Sequence, residues 1–109
     1  MAEALKVLGQ VAPGAAAEAS LYLVPAASSA VGSTLMICNR GAGTATVNVG
    51  VSVGGGALAA KDYIYYSLAV PSHDTFAATV GLSLAAADDV RVYSSTADVT
   101  FSLFGTEVS

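Results

Sequence analysis

The side chains that could do chemistry are few, and the only histidine of this 109-residue chain lies between a serine and an aspartate. Ser72, His73 and Asp74 have the residue types of a catalytic triad, but triad members must meet through space in a defined orientation. Three consecutive residues rarely do so, and Pro71 together with Ser72 and Asp74 is typical of a turn. We therefore expect a solvated histidine in a turn, and no enzymatic activity.

Metal and phosphate chemistry is equally poorly supported. Asp88, Asp89 and Asp98 offer the hard oxygen ligands that calcium prefers, provided that two late loops are neighbours, but their spacing matches no calcium loop and favours a turn. With one histidine and one cysteine, Cys38, a zinc site would need several carboxylates as well. The segment GGGA at 54–57 lacks the Lys and Ser/Thr of a phosphate-binding loop and is interpreted as a flexible hairpin connection. No metal or cofactor is expected.

Composition excludes other classes of partner. Charged residues make up 11% of the chain, against about 25% in a typical soluble domain, and hydrophobic residues make up 54%. The four basic residues are scattered, which argues against nucleic-acid binding. The chain contains no uninterrupted apolar run of about 18 residues, so no membrane span is predicted, and the N-terminus lacks the pattern of a signal peptide.

Cys38 lies in an apolar strand-like run and is the only cysteine, so it has no partner for an intrachain disulfide.

The elements that carry these residues are predicted to be strands. Short segments of alternating apolar and polar residues are separated by Gly, Pro, Asn and Asp, as in a sandwich or barrel. They span residues 5–10, 20–25, 33–39, 44–53, 63–70, 75–80, 89–95 and 99–108. The pattern predicts an all-β fold, an antiparallel β-sandwich of about eight strands, either Ig-like or jelly-roll-like, in a single domain covering residues 1–109. At most one short helix is expected.

The alternation also assigns faces. The predicted core comprises Leu21, Leu23, Leu35, Ile37, Val47, Val49, Val51, Ile64, Phe76, Val90, Val92, Phe101 and Leu103. Tyr63, Tyr65 and Phe104 are left on outer or edge positions. Because tyrosine combines a large apolar body with a polar tip, and aromatic residues dominate interface hot spots, these three are the candidate interface residues.

The fourth segment presents an unusual outer face. Opposite its valines stand Asn48, Gly50 and Ser52, which are small and uncharged although this face should meet water. Two interpretations remain open. Either another body packs close to Gly50 and Ser52, such as a copy of the chain or a larger shell, or the face is an ordinary neutral surface.

The order of these phrases resembles small structural proteins of tailed-bacteriophage virions. The similarity rests on LGQ at 8–10, LYLVPA at 21–26, ICNRG at 37–41, the valine ladder at 47–51, YIYY at 63–66, DTFA at 74–77, DDVRVY at 88–93 and FSLFGTE at 101–107. It covers nearly the whole chain. Such domains decorate capsids as cement proteins, and they also occur as modules of tails, necks and fibres.

The resemblance implies a function by adhesion. It favours a capsid decoration (cement) protein that binds the outer shell, with the major capsid protein as its partner, and that forms a homo-oligomer. The chain would be made in the host cytoplasm and reside in the virion, where other virion proteins are further candidate partners. The alternatives are a tail, neck or fibre component, and a glycan-binding β-sandwich in which Tyr63, Tyr65 and Tyr66 stack on a sugar. Catalytic residues are not implied.

Overall fold

A computed structural model describes residues 2–109, which form eight β-strands and two short 3₁₀ turns. The strands are β1 (Glu3–Val11), β2 (Ala17–Leu23), β3 (Ser29–Asn39), β4 (Ala45–Ser52), β5 (Tyr63–Val70), β6 (Thr75–Leu84), β7 (Asp89–Ser94) and β8 (Val99–Val108). The 3₁₀ turns, Val53–Gly55 and Ala60–Asp62, lie between β4 and β5. All eight predicted strands are confirmed. Within the described residues no helix is long and apolar enough to span a bilayer.

The strands form two four-stranded antiparallel sheets. The front sheet has the order β1-β8-β3-β6, and the back sheet has the order β2-β7-β4-β5. The pairs β4·β5, β2·β7, β3·β6 and β1·β8 are nested in sequence, which is the arrangement of a jelly roll. The predicted β-sandwich is therefore confirmed, in its jelly-roll form.

The core lies between the sheets, where alternate residues of each strand meet. In β8, Phe101 and Leu103 are fully buried, whereas Thr100, Ser102 and Phe104 face the other way. Most of the predicted core is confirmed in the same manner. Leu21, Leu35, Ile37, Val47, Val49, Val90, Val92, Phe101 and Leu103 are buried, and Val51 and Phe76 are partly buried against them.

Two predicted core residues are wrong, and β-bulges explain both. The register of β2 against β7 shifts between Ser20 and Tyr22, so Leu21 and Tyr22 are both buried and Leu23 is turned outward with 56% of its surface exposed. A bulge places two residues opposite one and thereby reverses the alternation beyond it.

The second correction concerns β5, whose register against β4 shifts twice. Tyr65 packs against the core with its ring edge-on to Phe76, at 5.2 Å between ring centroids, and Ile64 is exposed instead. Ser67 has a φ of 54°, and its N–H bonds to the side chain of Asn48 at 2.8 Å, as expected at an irregular position. A strict alternation cannot reveal either shift.

A hydrogen-bonded cluster of Tyr22, Glu107 and Lys6 links the two sheets at one edge of the sandwich. The Tyr22 hydroxyl donates to a Glu107 carboxylate oxygen at 2.6 Å, and the Lys6 ammonium lies 3.4 Å from the other oxygen. The Tyr22 hydrogen bond, followed by the charge of Lys6, lowers the pKa of Glu107. Burial, followed by the hydrogen bond to Glu107, raises the pKa of Tyr22. The negative charge of Glu107 is thus held between a phenol and an ammonium.

The face assignment of β4 is tested by a pair of substitutions. Val49→Asp places a carboxylate in the fully buried layer and is expected to cost at least about 3 kcal/mol, which prevents folding of a small domain. Asn48→Asp, one residue away on the outer face, keeps an oxygen acceptor for the Ser67 N–H and is expected to fold. Thermal unfolding by circular dichroism compares them. A Val49→Asp protein that melts at the wild-type temperature would contradict the assignment.

The cluster of Tyr22, Glu107 and Lys6 predicts that the stability of the fold depends on pH. Because the pKa of Glu107 is lowered by folding, its contribution is present above the ordinary glutamate pKa of about 4.3 and is lost as the pH falls through the lower folded value. Glu107→Gln is therefore expected to lower the melting temperature at pH 7 and to converge with wild type as the pH decreases below that range. Glu3→Gln, at the start of β1, is the control. A difference that is equal at pH 7 and pH 2.5 would exclude this role for the charge.

Candidate interaction surfaces

The Ser72–Asp74 segment is the predicted turn. The N–H of Asp74 bonds to the carbonyl of Pro71 at 3.3 Å, and the Asp74 carboxylate accepts from the N–H of Thr75 at 2.8 Å. Ser72 Oγ lies 3.2 Å from Nδ1 of His73 and donates to a backbone carbonyl. Asp74 therefore caps the backbone of β6 and makes no hydrogen bond that would orient the imidazole. These contacts serve the turn.

The three aspartates considered for calcium are not brought together. Asp88 and Asp89 precede or begin β7, whereas Asp98 follows that strand and lies at its opposite end. Both oxygens of Asp88 accept backbone N–H groups, from Gly54 at 3.0 Å and from Ala85 at 2.9 Å. No group of three potential metal ligands occurs among residues 2–109. The single carboxylate of Asp88 thus links two loops.

The small outer face of β4 is covered by the chain itself. The covering segment, residues 53–62, folds back over Gly50, where an added Cβ would lie 3.1 Å from both the Leu58 side chain and the Asp62 carbonyl. Both Gly50 and Ser52 are buried as a result. The prediction that something packs close to Gly50 and Ser52 is thus confirmed. That body is an intramolecular loop rather than a copy or a shell.

Hydrogen bonds fasten the covering segment to the back sheet. The Ser52 hydroxyl donates to the carbonyl of Gly56, and the Arg91 guanidinium donates to the carbonyl of Gly55 at 3.3 Å. Gly54 and Gly55 have φ values of 76° and 83°, which glycine adopts without a steric penalty. The connection predicted to be flexible is therefore anchored at successive glycines.

Charges on the outer surface of the back sheet are paired. Arg91 lies 2.9 Å from Asp89 and 3.3 Å from Glu18, and hydrogen bonds to Asp89 first and Glu18 second raise its pKa. The Asp89 side chain is almost completely buried in this cluster. The back sheet thus combines an ion-pair cluster with a covering loop.

The outer face of the front sheet is different, because it is nearly free of charge. Strand register places the following side chains on it: Glu3, Leu5, Val7 and Gln10 from β1, Thr100, Ser102, Phe104, Thr106 and Val108 from β8, Ser29, Val31, Thr34, Met36 and Cys38 from β3, and Thr75, Ala77, Thr79 and Ser83 from β6. Glu3 is the one charged residue of that set. We call this surface the neutral face.

Apolar side chains cluster on the neutral face around Phe104. Val7 and Thr34 are the direct cross-strand neighbours of Phe104 in β1 and β3. Leu5 is 89% exposed and Val7 is 46% exposed, and Val31 and Met36 are exposed as well. Water-facing sheet surfaces ordinarily carry polar and charged residues, so this cluster marks a candidate contact surface.

A second candidate surface lies where β5 meets the covering segment. The rings of Tyr63 and Tyr66 meet edge-to-face at 4.9 Å between centroids, and with Leu58, Ala59 and Ala60 they line an open groove of about 380 Å³. Tyr66 is 68% exposed. We call this surface the tyrosine groove.

The three predicted interface residues do not form one site. Tyr63 lies in the tyrosine groove beside β5, Phe104 lies on the neutral face of the opposite sheet, and Tyr65 packs against the core. Tyr65 is therefore turned inward because of the β5 register shifts, contrary to its expected outer position. Tyr66, which the sequence suggests only for the glycan-binding alternative, is exposed because of the same shifts. An interface role for any of them stays a prediction.

Comparisons with known proteins identify the fold. No family model matches the chain, and no curated protein matches its sequence. Among solved structures, the nucleoplasmin-like N-terminal domain of Drosophila FKBP39 aligns with a TM-score of 0.50 and 13% identity, over 97% of this chain and 92% of that one. A chain of infectious bursal disease virus strain Gt aligns with a TM-score of 0.52 and 10% identity, over 97% of this chain and 32% of the viral one.

A pentameric capsid protein isolated from metagenomic phage sequences is more distant, with a TM-score of 0.41 and 16% identity, over 96% of this chain and 62% of that one. The likenesses with TM-scores of 0.50 and 0.52 describe a shared fold and, at such low identities, assign no function.

The close packing over β4 is tested at Gly50. Gly50→Val places side-chain atoms against Leu58 and the Asp62 carbonyl, and is expected to lower the free energy of unfolding by about 1–3 kcal/mol through overpacking. It should also speed tryptic cleavage after Lys61 in the covering segment. Gly81→Val in β6 is the control, since a Cβ there has no heavy atom within 4 Å. Equal stability and equal cleavage in the two variants would show that the segment does not press on Gly50.

Proposed function

We propose that this protein is a structural protein of a bacteriophage virion, a capsid decoration protein that binds the outer shell and stabilises contacts between capsid subunits. The proposal assigns it no catalytic step and no cofactor. Its partner is the major capsid protein, and its place is the virion. The sequence phrases from LGQ at 8–10 to FSLFGTE at 101–107 support this reading through their resemblance to phage structural proteins.

The observation that carries the proposal is the neutrality of two exposed surfaces. The tyrosine groove and the neutral face expose apolar and aromatic atoms, while Arg91 and Lys6 have carboxylate partners within the chain. Adhesion through such surfaces derives from burial of apolar area, which salt screens little. A protein with these surfaces is suited to hold other proteins together.

The jelly-roll fold is compatible with this role but does not distinguish it from other functions. Jelly rolls serve in viral capsids and in lectins, and the present fold is shared with a viral chain and with a nucleoplasmin-like domain alike. Function therefore has to be argued from surfaces rather than from the fold.

Glycan binding is the second candidate, and the tyrosine groove is the observation that favours it. The exposed ring of Tyr66 and the edge-on ring of Tyr63 form a corner on which a sugar ring can stack. A tail, neck or fibre location uses the same surfaces, and differs from the capsid only in the partner.

The test is a co-sedimentation assay. Purified protein is mixed with phage particles that lack it, and the mixture is sedimented at low and at high salt. We expect co-sedimentation with empty shells at both salt concentrations. Tyr66→Ala removes an exposed aromatic anchor and is expected to weaken shell binding by roughly tenfold or more. Tyr93→Ala, which truncates a half-buried tyrosine on the outer face of the back sheet, is the matched control and should bind like wild type.

Other outcomes separate the alternatives. Binding to isolated tails without binding to shells assigns the protein to the tail and rejects the cement role. Binding to a glycan array that Tyr66→Ala abolishes, without binding to any particle, supports the lectin reading. Shell binding that disappears at high salt contradicts adhesion through neutral surfaces.

A further inference from the structure

The neutral face has no intramolecular cover, in contrast to the back sheet. The described residues measure 45 × 27 × 19 Å, so the two sheet faces are the broadest surfaces of the molecule. One of them is occupied by the covering segment and the Arg91 cluster. The other exposes Leu5, Val7 and Val31 around Phe104. The uncovered sheet face is thus also the less charged of the two.

We propose that the neutral face is the contact surface between two copies of this chain. A charged partner would find little complementary charge there, because the charged groups stand at the ends of the face. Glu3 begins edge strand β1, and the guanidinium of Arg40, just after β3, donates to the Thr100 hydroxyl at 3.1 Å. A second neutral face, in contrast, offers the same uncharged mixture of apolar and hydroxyl side chains. Two such faces meet without placing a charge in the centre, where desolvation would be costly.

Sheet geometry permits this contact. Sheets pack face to face at about 10 Å, with strands of the two sheets crossing at about 30°. A two-fold axis through the middle of the neutral face brings each apolar cluster onto its copy, which is the isologous arrangement of most symmetric dimers. Glu3 and Arg40 then lie at the rim of the contact, where charged residues remain in water.

The available area is of the size that a dimer needs. Four strands about 4.8 Å apart, each of about ten residues rising about 3.3 Å, give a plan area of about 600 Å². Side chains raise the accessible area above that figure, toward the about 800 Å² that each partner buries in a standard interface.

This inference is independent of the virion role, because self-association is measured on the purified chain alone. In this arrangement two copies of the chain bind each other through the neutral face, and the tyrosine groove remains free for a different partner. The Tyr66→Ala substitution described above should therefore leave self-association unchanged.

The test is sedimentation velocity and light scattering of the full chain between about 1 and 100 µM. We expect wild type to be dimeric at the upper end, both at low salt and at 1 M NaCl. Val7→Lys and Val31→Lys place an ammonium in the contact and are expected to weaken dimerisation at least tenfold. Val53→Lys is the matched control, since Val53 is an exposed valine outside the neutral face, and it should dimerise like wild type.

Circular dichroism and melting temperature establish that each lysine variant is folded. A wild type that remains monomeric at 100 µM overturns the inference. So does a Val53→Lys protein that dissociates as much as Val7→Lys, or a pair of folded neutral-face variants that dimerise like wild type. Dissociation of wild type by salt would assign the contact to charged groups and overturn it as well.

Discussion

Burial of one apolar layer between two sheets is the constraint on which the rest of the structure depends. Valine, leucine and phenylalanine side chains such as Val49, Leu35 and Phe101 have no contact with water, and each comes from a strand that alternates its faces. With only 11% charged residues, the chain has few ion pairs to stabilise or specify the fold. Apolar burial and the backbone ladders must therefore supply most of the stability.

That constraint explains how far the sequence could predict the fold. Period-two alternation located all eight strands and most of the buried residues, because each regular strand exposes one face to the core. The errors at Leu23 and Ile64 follow register shifts, which depend on how strands pair and leave no mark in a single strand. The nested pairing that distinguishes a jelly roll from an Ig-like sandwich is likewise a property of the whole chain.

The interaction surfaces were less predictable for a related reason. The smallness of Gly50 indicated close packing, but only the folded chain shows that Leu58 provides it. Phe104 was predicted to face outward, and it does, yet the neutrality around it arises from four strands far apart in sequence. The tyrosine groove depends on the irregular path of β5. Surfaces assembled from distant segments are therefore the part of the account that required the structure.

The central claim is that neutral, apolar surfaces of this chain are covered when it performs its function. Hydroxyl-radical footprinting of the free chain at 1 µM and of the chain within an assembled particle tests it most directly. Met36 reports on the neutral face and Tyr66 reports on the tyrosine groove. The account predicts that both side chains are oxidised more slowly in the particle than in the free chain. Equal oxidation rates of both residues in the two states would contradict it.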